Sequence, residues 1–177
     1  SSRPYGTIVC GSNFAYKGFL KRQNSQPTGG GIVELDDTWM QTPHVDNLVA
    51  FIPCGSSFKV LVADLQLATN ILFTYTNNSV EVFDDPRPTY TNTAYAAGIT
   101  NIQAKLNAMY DALETGLGIS KTNFIHVPVA FDPTVSSSIK TFLPDMVNMQ
   151  YVKSSGGERV FLPKAYFEPF YADPTNG

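Results

Sequence analysis

The stretch Leu35-Asp36-Asp37-Thr38-Trp39-Met40-Gln41-Thr42-Pro43-His44-Val45-Asp46-Asn47-Leu48-Val49-Ala50-Phe51-Ile52-Pro53 decides how this chain is read. Its second half, Leu48 to Ile52, is an unbroken apolar run ended by Pro53-Cys54-Gly55. That is the pattern of a strand buried on both faces. Its first half is a polar turn, Asp36-Asp37-Thr38-Trp39, leading into Thr42 to Asn47. There His44 and Asp46 lie two residues apart, so on an extended segment both side chains point to one face. An imidazole beside a carboxylate joins a group that moves protons near neutral pH to one that holds a cation. By spacing alone, a His-x-Asp pair is more often a surface loop or a satisfied core pair.

Upstream, Tyr5 to Cys10 reads as a buried strand closed by Gly11-Ser12. Asn13 to Gly31 reads as a loop or short helix ending in Gly29-Gly30-Gly31, and Ile32 to Leu35 as a short strand. No Gly-Lys-Ser/Thr follows the three glycines, so they read as a connector and not as a phosphate loop. Downstream, Phe58 to Ala63 is a second apolar strand. Asp64 is placed to cap a helix that carries Leu65, Ala68, Ile71, Leu72 and Tyr75 at helical spacing. Asn77 to Thr93 is rich in turn residues, and its Asp84-Asp85-Pro86 reads as turn chemistry before it reads as a cation site.

Thr100 and Gln103 have capping-box spacing, and Ile102, Leu106, Met109, Leu113 and Leu117 follow at three- and four-residue steps, with Gly116 and Gly118 as the stop. Phe124 to Val127 is a strand running into Pro128, Thr141 to Val152 a turn feeding a strand, and Val160 to Pro163 a last strand before an aromatic tail at Tyr166, Phe167, Phe170 and Tyr171. The order predicts an α/β region, 1–177, built of strand-rich modules with about one helix each, roughly 1–98 and 99–177.

The chain has 177 residues, of which 43% are hydrophobic, 12% aromatic and 15% charged, with a net charge of −3. The aromatic content excludes a disordered chain, and the length suffices for one sizeable core. So little Lys and Arg argues against a nucleic-acid partner, and no apolar run is long enough for a helical membrane span. The start, Ser1-Ser2-Arg3-Pro4, reads as a processed or trimmed chain. Low charge and the sequon Asn77-Asn78-Ser79 read as a secreted protein, in which Asn77 would be a glycosylation acceptor. The two cysteines, Cys10 and Cys54, each end a predicted strand. If those strands are neighbours, a disulfide closing about 44 residues would stabilise the fold by ~4 kcal/mol in the chain-entropy model. The rival reading is two thiols behaving as small apolar side chains. With only His44 and His126 beside them, a Cys/His metal site is not expected.

The stretch Leu35 to Pro53 resembles the protein-arginine deiminase catalytic domain around its His-Val-Asp motif, including a Trp five residues before the His and a strand ending in Pro after it. A second stretch, Phe142-Leu143-Pro144-Asp145-Met146-Val147-Asn148-Met149, resembles the family's Phe-Pro-(Asp/Asn)-Met-Val-Asn-Met segment. The resemblance covers roughly Tyr5 to Leu72 and Ile102 to Phe170, with none visible across Tyr75 to Ala97. Two ordered matches so far apart are more specific than either alone.

The resemblance implies a partial pentein-like (α/β-propeller) fold holding about two to three of five modules. In that family a Cys thiolate attacks the guanidinium carbon of a peptidyl arginine, a His is the general acid/base, two Asp hold the guanidinium, and citrulline and ammonia leave. By motif position, His44 is the acid/base and Asp46 one clamp, with Trp39 beside the substrate. The family's nucleophilic Cys, its first Asp and its calcium ligands fall outside the matched segments. Cys10 and Cys54 match neither catalytic position, and Asn47 stands where Glu is usual. The chain is therefore expected to be a fragment or divergent member, inactive alone, with no cofactor of its own, although the intact family domain can use calcium. A missing chain or segment would complete it, and an arginine peptide or guanidine would be its ligand. The alternative is a non-catalytic secreted binding, toxic or defence protein with the same fold.

Overall fold

The computed structural model describes residues 6–24, 31–74, 81–82, 85–86, 93–132, 138–141 and 145–163. The Asn77 sequon, Phe142 to Pro144 and the aromatic tail lie outside the described residues. Strand β1 (Ile8–Gly11) pairs in parallel with β2 (Ile32–Leu35), and helix α1 (Lys17–Gln23) connects them. The buried Asn24, just after α1, donates from Nδ2 to Gly31 O at 2.7 Å and so ties the helix end to the start of β2.

Strand β3 (Val49–Cys54) turns at Gly55, whose φ of +60° suits a residue without a Cβ, and returns as β4 (Ser57–Asp64). Helix α2 (Leu65–Thr74) follows. Two-residue strands β5 (Glu81–Val82) and β6 (Asp85–Pro86) pair next, then comes the long helix α3 (Thr93–Leu117). Strand β7 (Phe124–Pro128) returns parallel to β4, giving a three-stranded sheet of order β3-β4-β7. A hairpin of β8 (Gln150–Ser154) and β9 (Gly157–Phe161) closes the described chain.

The architecture is mixed α/β, and the described strands form separate small sheets without closing a barrel or propeller. One core joins them. The fully buried Leu35, Leu48, Val60, Val62, Ile102, Leu106, Leu113, Phe131, Ile139 and Val147 come from both halves of the chain. Position 98/99 falls inside α3, which packs on β2 and β4 of the first half.

Several local readings hold. Asp64 caps α2, its Oδ1 accepting from Leu67 N at 2.8 Å. Ile102, Leu106, Met109 and Leu113 are the buried stripe of α3. Gly118 ends that helix with φ +67°, its N–H reaching Glu114 O at 2.9 Å.

Three readings are corrected. Thr100 and Gln103 form no capping box, because α3 begins seven residues earlier at Thr93. Thr100 Oγ1 instead donates to Ala96 O at 2.9 Å, and Gln103 Oε1 accepts from Gln66 N, linking α3 to α2. Gly116 does not stop the helix. It lies within it, where an added Cβ would come to 2.4 Å from Val33 Cγ2, so glycine is what lets α3 approach β2. Strand β3 is not buried on both faces. It is the sheet's edge, and Phe51 stays 40% exposed there.

Candidate functional site

The polar turn after β2 is pinned at its base. Trp39 is buried at 6% exposure, its Nε1–H donates to Asp36 O at 2.8 Å, and its ring lies 5.6 Å from that of Phe131. Asp36 Oδ1 accepts from the Thr38 hydroxyl at 2.6 Å and from Thr38 N at 3.1 Å, and these bonds hold its carboxyl below the usual range. Trp39 is thus a core residue behind the turn and is not among the residues lining the cleft of His44 and Asp46. Its only polar atom is spent on Asp36 and its ring is packed.

The following segment is not extended throughout. His44 has β-region angles (φ −112°, ψ 122°), and Val45–Asn47 then makes one turn of 3-10 helix, with Asn47 N donating to His44 O at 3.1 Å. His44 and Asp46 nevertheless line the same open cleft, of about 1380 Å³. Its walls come from β1 (Cys10, Gly11), the α1 approach (Asn13, Phe14), the turn after β2 (Asp37), the His44–Asp46 segment and the sheet edge (Phe51, Phe58). Both His44 and Asp46 are exposed, and among the described residues no hydrogen bond joins their side chains. The half-exposed Phe51 now has a reason: with Phe58, whose ring lies 5.9 Å away, it forms an apolar part of the wall. Among the described residues that line it there is no Lys or Arg. The nearby Lys17 and Lys21 are held by Glu34, Lys17 at 2.9 Å, which keeps the Glu34 carboxyl below its usual range.

The two sequence motifs meet in space. Asn148 Nδ2 donates to Asn47 Oδ1 at 3.1 Å, across 101 residues. Within the second motif Asp145 is 3% exposed, its Oδ1 accepts from Val147 N at 3.1 Å, and its Oδ2 has no partner. Burial first, and then the nearby Asp46 charge, push its carboxyl up to about 7. Met40 pairs with Ile139, so the core on both sides of the segment is shared.

The cysteines are free thiols. Cys10 is buried on β1 and Cys54 is exposed at the end of β3 in a different sheet, so the neighbouring strands that a disulfide requires are not formed. Cys10 does line the cleft, but burial and the Glu34 charge push its thiol up, away from the thiolate that a nucleophile needs.

Sequence reasoning passed over Asp37, read as a turn residue, and Asp145, quoted only as part of a motif. Their unpartnered buried oxygens are tertiary facts, and the one local signal was the doubled acid before Thr38-Trp39. A second His–Asp contact, His126 Nδ1 to Asp64 Oδ2 at 2.8 Å, was not anticipated. It lies outside the cleft lining, and Asp64 is also the α2 cap. Among the described residues no group of three or more His, Cys, Asp or Glu side chains is placed to hold a metal ion. No helix of the described residues is long and apolar enough to cross a membrane.

No curated relative matches the chain. The family model described as Protein-arginine deiminase (PAD) matches residues 3–166, which takes in both motifs, the cleft and the 75–97 stretch where no resemblance is visible by eye. With nearly the whole length matched and the two family motifs clasped together beside one cleft, the chain belongs to the protein-arginine deiminase family.

Proposed function

We propose that the cleft takes the guanidinium of a peptidyl arginine, with Asp46 as a clamp and His44 as the proton-transfer group, within a pentein-like fold. The observation that carries the reading is that His44 and Asp46 line one cleft together with Asp37, and that its described lining residues include no Lys or Arg. A guanidinium is planar and always charged, and its N–H fork matches a carboxylate in two hydrogen bonds. Apolar Phe14, Phe51 and Phe58 suit the arginine methylenes.

In the family reaction a thiolate adds to the guanidinium carbon, and ammonia leaves with a proton from the imidazolium. Water, deprotonated by the imidazole, then displaces the sulfur and leaves the ureido group of citrulline. His44 suits both proton transfers, being exposed on the cleft wall. No step is routed through calcium. Neither cysteine suits the attack: Cys10 is held as a thiol by burial and Cys54 is not among the lining residues. A delocalised cation does not hydrolyse at a useful rate without an activated nucleophile. The 177-residue chain by itself is therefore expected to bind a guanidine without turning it over, and a further segment or partner chain would supply the thiol.

The test is titration calorimetry with acetyl-arginine amide, together with a citrulline assay on an arginine peptide with calcium present. Binding heat lost in Asp46→Ala, without citrulline, is expected. Heat untouched by that substitution would overturn the clamp, and citrulline formation that disappears in His44→Ala would overturn the claim that the chain alone is inactive. A wholly non-catalytic binding role is favoured by the same raised Cys10 thiol, and the absence of turnover after adding the rest of the domain would select it.

A further inference from the structure

The span from Gln41 to Asn47 carries both His44 and Asp46, and most of its side chains are exposed. Exposed side chains gain little from packing, so such a span keeps one shape only through its ends and its hydrogen bonds. Upstream, Gln41 N donates to Ile139 O at 2.7 Å, and Ile139 N donates to Trp39 O at 2.9 Å. Downstream, Leu48 is fully buried and its carbonyl accepts from Ala63 N at 2.9 Å. Between these anchors Asn47 is bound twice. Its N–H closes the turn onto His44 O at 3.1 Å, and its Oδ1 accepts from Asn148 Nδ2 at 3.1 Å. Asn148 stands on a fixed platform. Val147 beside it is fully buried, and the buried Asp145 accepts from Val147 N through Oδ1 at 3.1 Å and from Asn148 N through its carbonyl at 3.2 Å.

We propose that Asn148 is a positioning residue which, acting through Asn47, fixes the 3-10 turn so that Asp46 and His44 meet a guanidinium already in place. This rests on the reading of the cleft given above and deepens it. Neither asparagine is among the described lining residues, so the tie works from behind the site. A fork-to-fork pair with a carboxylate depends on direction, and a turn held in shape beforehand does not have to be ordered when the ligand arrives. Asn47 stands where the family usually has Glu, so in this chain the tie joins two neutral amides and adds no charge beside Asp46. The second motif thus reaches the first through one side-chain bond, carrying the rigidity of the core at Val147 out to an exposed turn.

The experiment is calorimetry with acetyl-arginine amide on the wild type, Asn148→Ala, Asn47→Ala and the double variant. Thermal melting and the backbone amide resonances of Val45 and Asp46 are recorded for each without ligand. Each single substitution is expected to weaken binding about fivefold, the worth of one hydrogen bond, and the double variant no further, because both changes remove the same bond. The Val45 and Asp46 resonances are expected to shift in Asn148→Ala well below its melting temperature. A merely structural asparagine would lower the melting temperature and leave the affinity and both resonances as in the wild type, and that result overturns the proposal. Losses that add in the double variant overturn the route through Asn47. Binding abolished by Asp46→Ala but untouched by Asn148→Ala overturns the tie alone and leaves the guanidinium reading standing. No binding by the wild type overturns that reading, and this positioning role with it. Should Asn148→Ala fail to fold, Asn47→Ala, which breaks the same bond from the other side, decides by the same measures.

Discussion

Asp145→Asn is the sharpest test of how the second motif supports the first. The wild-type carboxyl is 3% exposed and pushed from 3.8 to about 7, so the folded state binds its proton more tightly than the unfolded state does. The sign follows from linkage. Between these two values the folded form carries the extra proton, so stability falls as pH rises and the loss is complete above pH 7. At about 1.4 kcal/mol for each tenfold change in proton affinity, the penalty grows from about 2 kcal/mol at pH 5 to about 4 kcal/mol at pH 8. Asparagine keeps Oδ1 as the acceptor for Val147 N and removes the titration. Its Nδ2 inherits the position of the unpartnered Oδ2, at a cost of about 1–3 kcal/mol that does not depend on pH. The variant should therefore match the wild type within about 1 kcal/mol at pH 5 and exceed it by about 2 kcal/mol at pH 8. Urea unfolding of both proteins from pH 5 to pH 8.5 measures the difference, and taking that difference cancels every other titrating group. Two stability curves that stay parallel across this range would refute the reasoning.

Two further outcomes are expected. Gly116→Ala gains helix propensity of about 1 kcal/mol, but its Cβ meets Val33 Cγ2 at 2.4 Å, so net destabilisation of about 1–2 kcal/mol is expected, recovered in part when Val33→Ala is added; additive losses in the double variant would count against the close approach of α3 to β2. Cys54 should react at once with a thiol reagent in the native state and Cys10 only after unfolding, and an intact mass showing both thiols oxidised to a bridge would contradict the separation of their strands.

The chain by itself determined what depends on near neighbours. The apolar period of α3, the Asp64 cap, the Gly118 stop and the hairpin at Gly55 are local, because spacing, a side-chain acceptor or a positive φ acts within a few residues. The His44–Asp46 pair and the family motif around it are legible for the same reason. The start of α3 was not, since the helix runs through Gly98 and past a plausible cap once packing on β2 and β4 sustains it. Nor could spacing show that Trp39 turns inward while Phe51 turns to the cleft, for both are apolar and only the sheet edge separates their fates. Tertiary structure alone decided that Asp37 is buried beside Gly11, that Asn148 reaches Asn47 across 101 residues, and that Cys10 and Cys54 stand on different sheets. Each of these is a meeting of distant segments, and what brings them together is the burial of one apolar core shared by β2, β4 and α3.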